Sequence, residues 1–534
     1  MAENSTDEPF ITDTSTADST QVGCTSWLLM SCIILTMSTA FVFGWGLGAP
    51  NQYNVFTEKF LSGSNPCIVK PPDDSLLNLA TSTIPDAIVA MGVNVENPME
   101  DITTKIPTRH QIRPRFNFVL ELIKGLPQTA FLIGAFIGAL TGPHWTSCLD
   151  RKKSVYANFV FCFASSIFVI LSYYLRYPSF FYTSRVLLGY QGGMACVIVP
   201  PYIGEIASQK VRGAAGASFQ LSLTIGILMA QITGLPALAG TCRGWGWGLG
   251  IVFILPLIAT FLLFFVPNSP TQLIRKYGNE EQAKKDLKKL RGTPDVSKDL
   301  TTIHAQSNAE GGTKSLSVIA VITTPRYRWP MITAVALQFA QAFSGINAVF
   351  FYSSKMFQKA GIPDNLIPVA NILTGFINVV ATIVALLLME KVGRKPLILG
   401  PMSVMVVVFG ILTALVEVNE RKNDPTLGWV SVVFVLIFIV CFAIGLGPIP
   451  FFYTSEVCRP EARDSIQSLG QVANYLGNIL LSLFFPILNS ILGGYVFLIF
   501  CLLVLSFAIF LYIKMPETKN KSIEENEKHW NITK

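Results

Sequence analysis

The chain has 534 residues, of which 51% are hydrophobic and 14% charged, with 38 Phe and a net charge of +7. Soluble proteins carry about 25% charged residues, so the composition excludes an ordinary soluble domain and reads as an all-α polytopic membrane protein. Four histidines and ten scattered cysteines offer no Cys/His cluster, so neither a metal nor a cofactor is expected; no nucleophile–base pair or phosphate loop supports an enzyme, and no nucleic-acid partner is expected.

Residues 1–24 read as a cytoplasmic tail, polar and rich in Ser and Thr, with no cleavable signal. A span needs roughly 20 apolar residues, and twelve are expected, near 25–48, 118–142, 154–174, 182–204, 213–236, 247–266, 330–352, 366–389, 397–416, 428–450, 469–489 and 493–513. An even count puts both termini on one side. Lys and Arg cluster on that side, at 151–153, 210–212, 275–328, 391–395, 459–463 and 514–528, which makes it cytoplasmic. The expected organisation is a first six-helix half over 25–266, with a long extracellular loop at 51–117. A cytoplasmic linker follows over 267–329, with a helical stretch from Glu280 to Leu290. A second six-helix half over 330–513 and a cytoplasmic tail over 514–534 complete the chain. Cys67 and Cys242 fall in loops on the outer side and can pair.

The two halves repeat each other. Glu205-x6-Arg212 after span 4 recurs as Glu456-x6-Arg463 after span 10, Arg151 after span 2 as Arg394 after span 8, and Pro267-Asn-Ser as Pro516-Glu-Thr. Three landmarks near one offset point to a duplicated six-span unit, the parallel-repeat plan of alternating-access carriers.

Span 1 carries no carboxylate from Leu28 to Ala49. Arg185, near the end of span 4, is the one cation inside a run that would suit an anionic substrate. Span 5 places Gln220, Thr224 and Gln231 on one helical face. Span 7 reads Gln338-Phe-Ala-Gln341-Ala342-Phe-Ser344-Gly345-Ile-Asn347. At about 100° per residue, Gln338, Gln341 and Gly345 share a face while Asn347 points away, so one cavity can hold them all only if the helix breaks near Ser344-Gly345. Span 8 has Asn378. Span 10 has Gly445-x-Gly447-Pro448-Ile-Pro450-Phe451-Phe452, whose prolines remove backbone donors and break the helix. Span 11 has Asn474 and Asn478 one turn apart, with Tyr475 beside them.

Amides, hydroxyls and rings without mid-membrane charge suit a neutral polyol: amides donate to and accept from sugar hydroxyls, and rings cover the C–H face of a pyranose. At the cytoplasmic helix ends, Arg151, Glu205, Arg212, Glu390, Arg394, Glu456 and Arg463 are expected to form an ion-pair network that closes an inner gate.

Gly447–Phe452, Ser344–Tyr352, Val199–Ala207, Arg212–Gly216, Gly393–Lys395 and Pro516–Lys519 together make the chain resemble the sugar porter family of the major facilitator superfamily, and within it the animal facilitative glucose transporters. The resemblance spans roughly 25–528. It implies the major facilitator fold and a hexose substrate, D-glucose first. It also implies sugar contacts from Gln220, Gln338, Gln341, Asn347, Asn378, Phe451 and Asn474, and a place in the lipid bilayer of the plasma membrane. The departures bear on which sugar is carried. Ala342 stands where a second Gln is usual, Phe339-Ala340 follow Gln338 where Leu-Ser is associated with glucose, Tyr475 replaces Trp, and Ser184 replaces Gly beside Arg185. Phe451 stands nearer the glucose pattern. Fructose, polyol and broad-specificity hexose carriers therefore stay open, and a non-transporting sensor is disfavoured by the short tail after Pro516. Proton-linked members carry an Asp just after Phe-Gly-Tyr in span 1; here the run is Phe43-Gly44-Trp45-Gly46, which implies a uniporter.

Overall fold

A computed structural model describes residues 24–61, 67, 118–208, 210–308, 316–359, 362–363, 366–422, 425–519 and 521–530. The tail before Cys24, most of the 51–117 loop and the side chain of Glu390 lie outside the described residues. Among the described residues there is no strand, and 12 helices are long and apolar enough to cross a membrane. Spans 1 to 6 are Ser26–Asn54, Gly125–Cys148, Arg151–Leu175, Pro178–Ile206, Arg212–Thr233 and Trp245–Phe265. Spans 7 to 12 are Pro325–Phe350, Ile367–Met389, Arg394–Asn419, Thr426–Val457, Pro460–Asn489 and Gly493–Lys514. The protein is a multi-pass membrane protein of two six-helix halves.

Within a bilayer the hydrophobic effect does not drive helices together, so close backbone approach has to. Spans 2 and 4 achieve it with two Gly-x3-Gly ridges. A Cβ on Gly134 would lie 2.0 Å from the Val186 carbonyl oxygen, and one on Gly138 2.2 Å from that of Tyr190. From the other side, a Cβ on Gly189 or Gly193 would come within 1.9 Å of the Phe131 or Ala135 carbonyl oxygen. Spans 1 and 5 cross in the same way, Gly44 on Leu223 and Gly226 on Phe41.

Span 4 packs on spans 2 and 3 in the first half, and span 9 on spans 10 and 12 in the second; the halves meet along two seams, span 2 against span 11 and span 5 against span 8. The six-span repeat maps 2 onto 8 and 11 onto 5, so the two seams are images of each other. Span 11 is fastened along its length: Gln467 Nε2 donates to the Cys196 carbonyl (3.1 Å), Ser468 Oγ to that of Ala139 (2.7 Å), and the Ser482 and Thr129 hydroxyls meet at 3.3 Å.

The linker folds as short helices over Pro270–Tyr277, Glu280–Arg291, Ser297–Asn308 and Val318–Thr323. Glu280–Arg291 has the expected two faces. Asn279 caps its first turn, Gly292 closes it at φ 68°, and Ala283, Leu287 and Leu290 are buried at helical spacing. Cys67 and Cys242 form a disulfide, Cα to Cα 5.1 Å, that ties the first long loop to the connection between spans 5 and 6.

A terminal helix, Ile523–His529, starts on a capping box at Ser522 and Glu525 and docks under the second half. Glu527 takes hydrogen bonds from Arg459 (2.9 Å) and Arg326 (2.8 Å), and Trp530 Nε1 donates to the Lys514 carbonyl (2.8 Å). Burial alone would raise the Glu527 carboxyl, but the two guanidinium groups hold it below its ordinary value. A carboxyl held low when folded stabilises above the ordinary carboxylate range and loses that contribution as pH falls through its depressed value. Limited proteolysis should therefore find the tail protected at neutral pH and released only as the pH falls below the ordinary carboxylate range. Glu527→Gln should release it already at neutral pH.

Candidate functional site

Span 7 breaks where the sequence requires. Its first helix, Arg328–Ala342, stops at Phe343, Gly345 adopts φ 89°, and a second helix runs Ile346–Lys359. That φ lies in the region glycine enters without strain. The Ser344 hydroxyl donates to the Gln341 carbonyl (2.7 Å), one of the acceptors freed by the break. The break swings Asn347 round toward span 11, where its Nδ2 donates to Asn478 Oδ1 (2.5 Å).

Span 10 breaks opposite it, between Pro425–Ile444 and Ile449–Val457. Pro450 has no N–H to give the carbonyl four residues earlier, that of Leu446. Gln341 supplies the missing donor: its Nε2 lies 2.9 Å from both the Leu446 and Gly447 carbonyl oxygens. Gln338 Nε2 donates to the Pro450 carbonyl (3.0 Å). Asn474 Nδ2 then donates to Gln341 Oε1 (2.8 Å) and Gln338 Oε1 (3.1 Å), and Asn478 Nδ2 to Asn474 Oδ1 (2.9 Å). Five carboxamides from spans 7 and 11 thus form one directed chain that ends on the broken backbone of span 10. All are buried except Asn347, which is half-buried.

The other expected residues surround this chain unevenly. Gln220 faces the break: a Cβ on Gly447 would lie 3.3 Å from its Nε2. The Phe451 ring lies 5.1 Å from that of Phe219, closing the first half onto the second beside Gln220. Asn378 is not joined to the chain; its Oδ1 is buried with no hydrogen-bond partner among the described residues. It belongs instead to a buried polar stripe on span 8, Asn371, Thr374, Asn378 and Thr382, that shares a side with Gly375. At Gly375, Gln231 of span 5 leaves no room, since a Cβ there would be 2.0 Å from its Oε1. Tyr475 spans the seam, donating to Cys196 Sγ (3.2 Å) with its ring edge on Phe43. Ala342 does not leave a gap: a Cβ on Gly477 of span 11 would lie 2.9 Å from its Cβ, so close contact of spans 7 and 11 fills the place of a longer side chain.

At the end bearing the basic loops, the repeat landmarks converge into two matching clusters. The Arg151 guanidinium donates to Glu205 (2.7 Å), which also accepts from the Ser269 hydroxyl (2.5 Å). Arg394 donates to Glu456 (2.7 Å), which accepts from the Thr518 hydroxyl (2.5 Å). Each cluster lies inside one half. The first cluster also reaches across the halves: Arg151 donates to both carboxylate oxygens of Asp464, at 2.9 and 2.8 Å, and the Thr146 hydroxyl donates to the same carboxylate at 3.1 Å.

Two residues expected in this network, Arg212 and Arg463, make no direct ion pair among the described residues. Each nevertheless faces a carboxylate of the other half electrostatically, Arg212 that of Glu456 and Arg463 that of Glu205. Arg463 donates to the Cys458 carbonyl (3.4 Å), and the Nε of each is buried without a hydrogen-bond partner. The Glu-x6-Arg spacing crosses a turn into the next span, so its two residues face different neighbours. Asp464 and Asn478 are the residues that sequence reasoning missed from the sets. Asn478 was signalled by its place one turn from Asn474. Asp464 had no such signal, because its repeat counterpart is Gly213.

With this geometry in hand, three comparisons bear on it. The family model described as "Sugar (and other) transporter" matches residues 31–530. The chain is 35% identical over 407 residues to the facilitated glucose transporter member 2 of Sus scrofa, covering 76% of this chain and 77% of that protein. It is 32% identical over 406 residues to member 1 of Gallus gallus (76% and 82%), and 30% identical over 417 residues to member 9 of Homo sapiens (78% and 77%). In fold it is similar to the proton:xylose symporter XylE bound to 6-bromo-6-deoxy-D-glucose, with a TM-score of 0.71 at 22% identity, covering 95% of this chain and 99% of that one.

Proposed function

Because the chain belongs to the Sugar (and other) transporter family, we propose that it is a facilitative carrier of a hexose, D-glucose first, in the plasma membrane with both termini cytoplasmic. The observation that carries this reading is the carboxamide chain Asn347, Asn478, Asn474, Gln338 and Gln341 beside two broken helices. Carboxamides donate and accept at once, as sugar hydroxyls do, so a hexose can exchange with their mutual bonds without stranding a buried group. Gln220 and Phe451 stand at the same break, and relatives named as facilitated glucose transporters support the substrate. Asn378, with its unpartnered buried oxygen, is the acceptor available on span 8.

Transport then consists of the two halves rocking about this site, with the Arg151–Asp464 contact holding the cytoplasmic end shut. The position that would hold a coupling carboxylate argues for uniport: a Cβ on Gly46 would lie 2.5 Å from the Phe131 ring, and Arg185 has no ion pair among the described residues.

In proteoliposomes, labelled D-glucose should equilibrate without a proton or sodium gradient and show counterflow. Accumulation above equilibrium under a gradient would replace uniport by symport. Competition by a panel of unlabelled hexoses and polyols ranks the substrates.

A further inference from the structure

Arg185 lies inside the first half on span 4, 3% exposed, and no carboxylate meets it among the described residues. Burying a guanidinium without a counter-ion is costly unless other groups take its hydrogen bonds and charge. Two do. Its Nη2 donates to the Gly46 carbonyl oxygen at 2.6 Å, and its guanidinium carbon stands 4.9 Å from the Phe131 ring centroid.

The choice of carbonyl is informative. Gly46 is four residues before Pro50, which sits inside the continuous helix Ser26–Leu61. Proline has no N–H, so this is the one carbonyl in the stretch that the helix cannot satisfy. A buried carbonyl without a partner costs about 1–3 kcal/mol. The Gln341 side chain plays the same part for Leu446, four residues before Pro450.

We infer that Arg185 is a positioning residue: its guanidinium replaces the main-chain donor that Pro50 removes and so fixes the course of span 1 past Pro50. That stretch matters beyond its own helix. Above it, Tyr53 is fully buried, and a Cβ on Gly248 of span 6 would lie 2.2 Å from its hydroxyl. Span 1 also packs against Ile346–Lys359, the half-helix that carries Asn347 into the carboxamide chain. Losing the bond leaves Gly46 unpaired and frees the outer part of span 1 to shift, which disturbs the site through that half-helix.

A mutant cycle separates this role from a general need for Arg185. Arg185→Met, Pro50→Ala and the double substitution are compared by thermal stability and monodispersity of detergent-purified protein, readouts that do not depend on the substrate, and by the KM and maximal rate of hexose uptake. The Pro50→Ala change restores a backbone donor to Gly46. Arg185→Met should lower the ratio of folded to unfolded protein about tenfold when Pro50 is present and far less in the Pro50→Ala background. Arg185→Lys, which keeps a donor, should fall between wild type and Arg185→Met. An equal penalty for Arg185→Met in both backgrounds would overturn the inference. So would a shifted pH profile of uptake in Arg185→Met, which would make Arg185 part of a proton relay instead. If Arg185→Met alone yields no folded protein, recovery or continued absence in the double variant still decides.

Discussion

Asp464→Ala is expected to shift the protein toward conformations open at the end bearing the basic loops, by about 10- to 100-fold. Removing one partner of a buried ion pair costs about 3–5 kcal/mol when the other charge is stranded. Arg151 keeps Glu205 at 2.7 Å, so the loss here should be about 1–3 kcal/mol, with each 1.4 kcal/mol worth tenfold. That energy is lost only from the closed form, because Asp464 is in span 11 and Arg151 in span 3, on opposite sides of the seam. Glu205 bonds the same guanidinium from within the first half. Glu205→Gln should therefore lower thermal stability while moving the conformational balance much less. Cysteine accessibility or hydrogen exchange at the ends of spans 2, 4 and 11 reads the balance directly. If Asp464→Ala and Glu205→Gln behave alike in both measurements, Asp464 is a structural partner of Arg151 and not a latch between halves.

The contrast shows what a sequence can and cannot give in such a protein. Apolar runs and basic loops reveal spans, because a bilayer leaves the backbone few choices. The Ser344-Gly345 and Pro448–Pro450 breaks were legible for the same reason, since proline and glycine act on their own backbone. Even the freed carbonyls, Gly46 and Leu446, can be counted off four residues before each proline. Which side chain caps them cannot: Arg185 and Gln341 lie on other spans, and only packing brings them within reach. The repeat supplied Arg151, Glu205, Arg394 and Glu456, because duplication preserved both clusters. It was silent on Asp464, where the halves differ, and on how Arg212 and Arg463 meet the carboxylates of the opposite half. Ala342 reads as a missing amide in one dimension. In three it is the contact that draws span 7 onto Gly477.

The residue that joins both breaks is Gln341, and Gln341→Leu should lower hexose uptake about 100-fold at unchanged surface level. Leucine fits the volume but makes none of the three hydrogen bonds. The Leu446 and Gly447 carbonyls lose their donor, Asn474 loses an acceptor at 2.8 Å, and the substrate loses a carboxamide. Each unmet buried group costs about 1–3 kcal/mol, so the sum covers the two decades expected. The split between KM and rate separates the two jobs of the side chain. A rise in KM alone would mean that Gln341 chiefly contacts the sugar. A fall in maximal rate would mean that its hold on Leu446 and Gly447 sets how span 10 bends. Both should change, because the same Nε2 that would serve a sugar hydroxyl holds the loosened backbone of span 10. Sugar and hinge then compete for one donor, and occupancy of the site is felt by the helix that must move. Unchanged kinetics in Gln341→Leu would remove both roles and move the site away from the span 7 break.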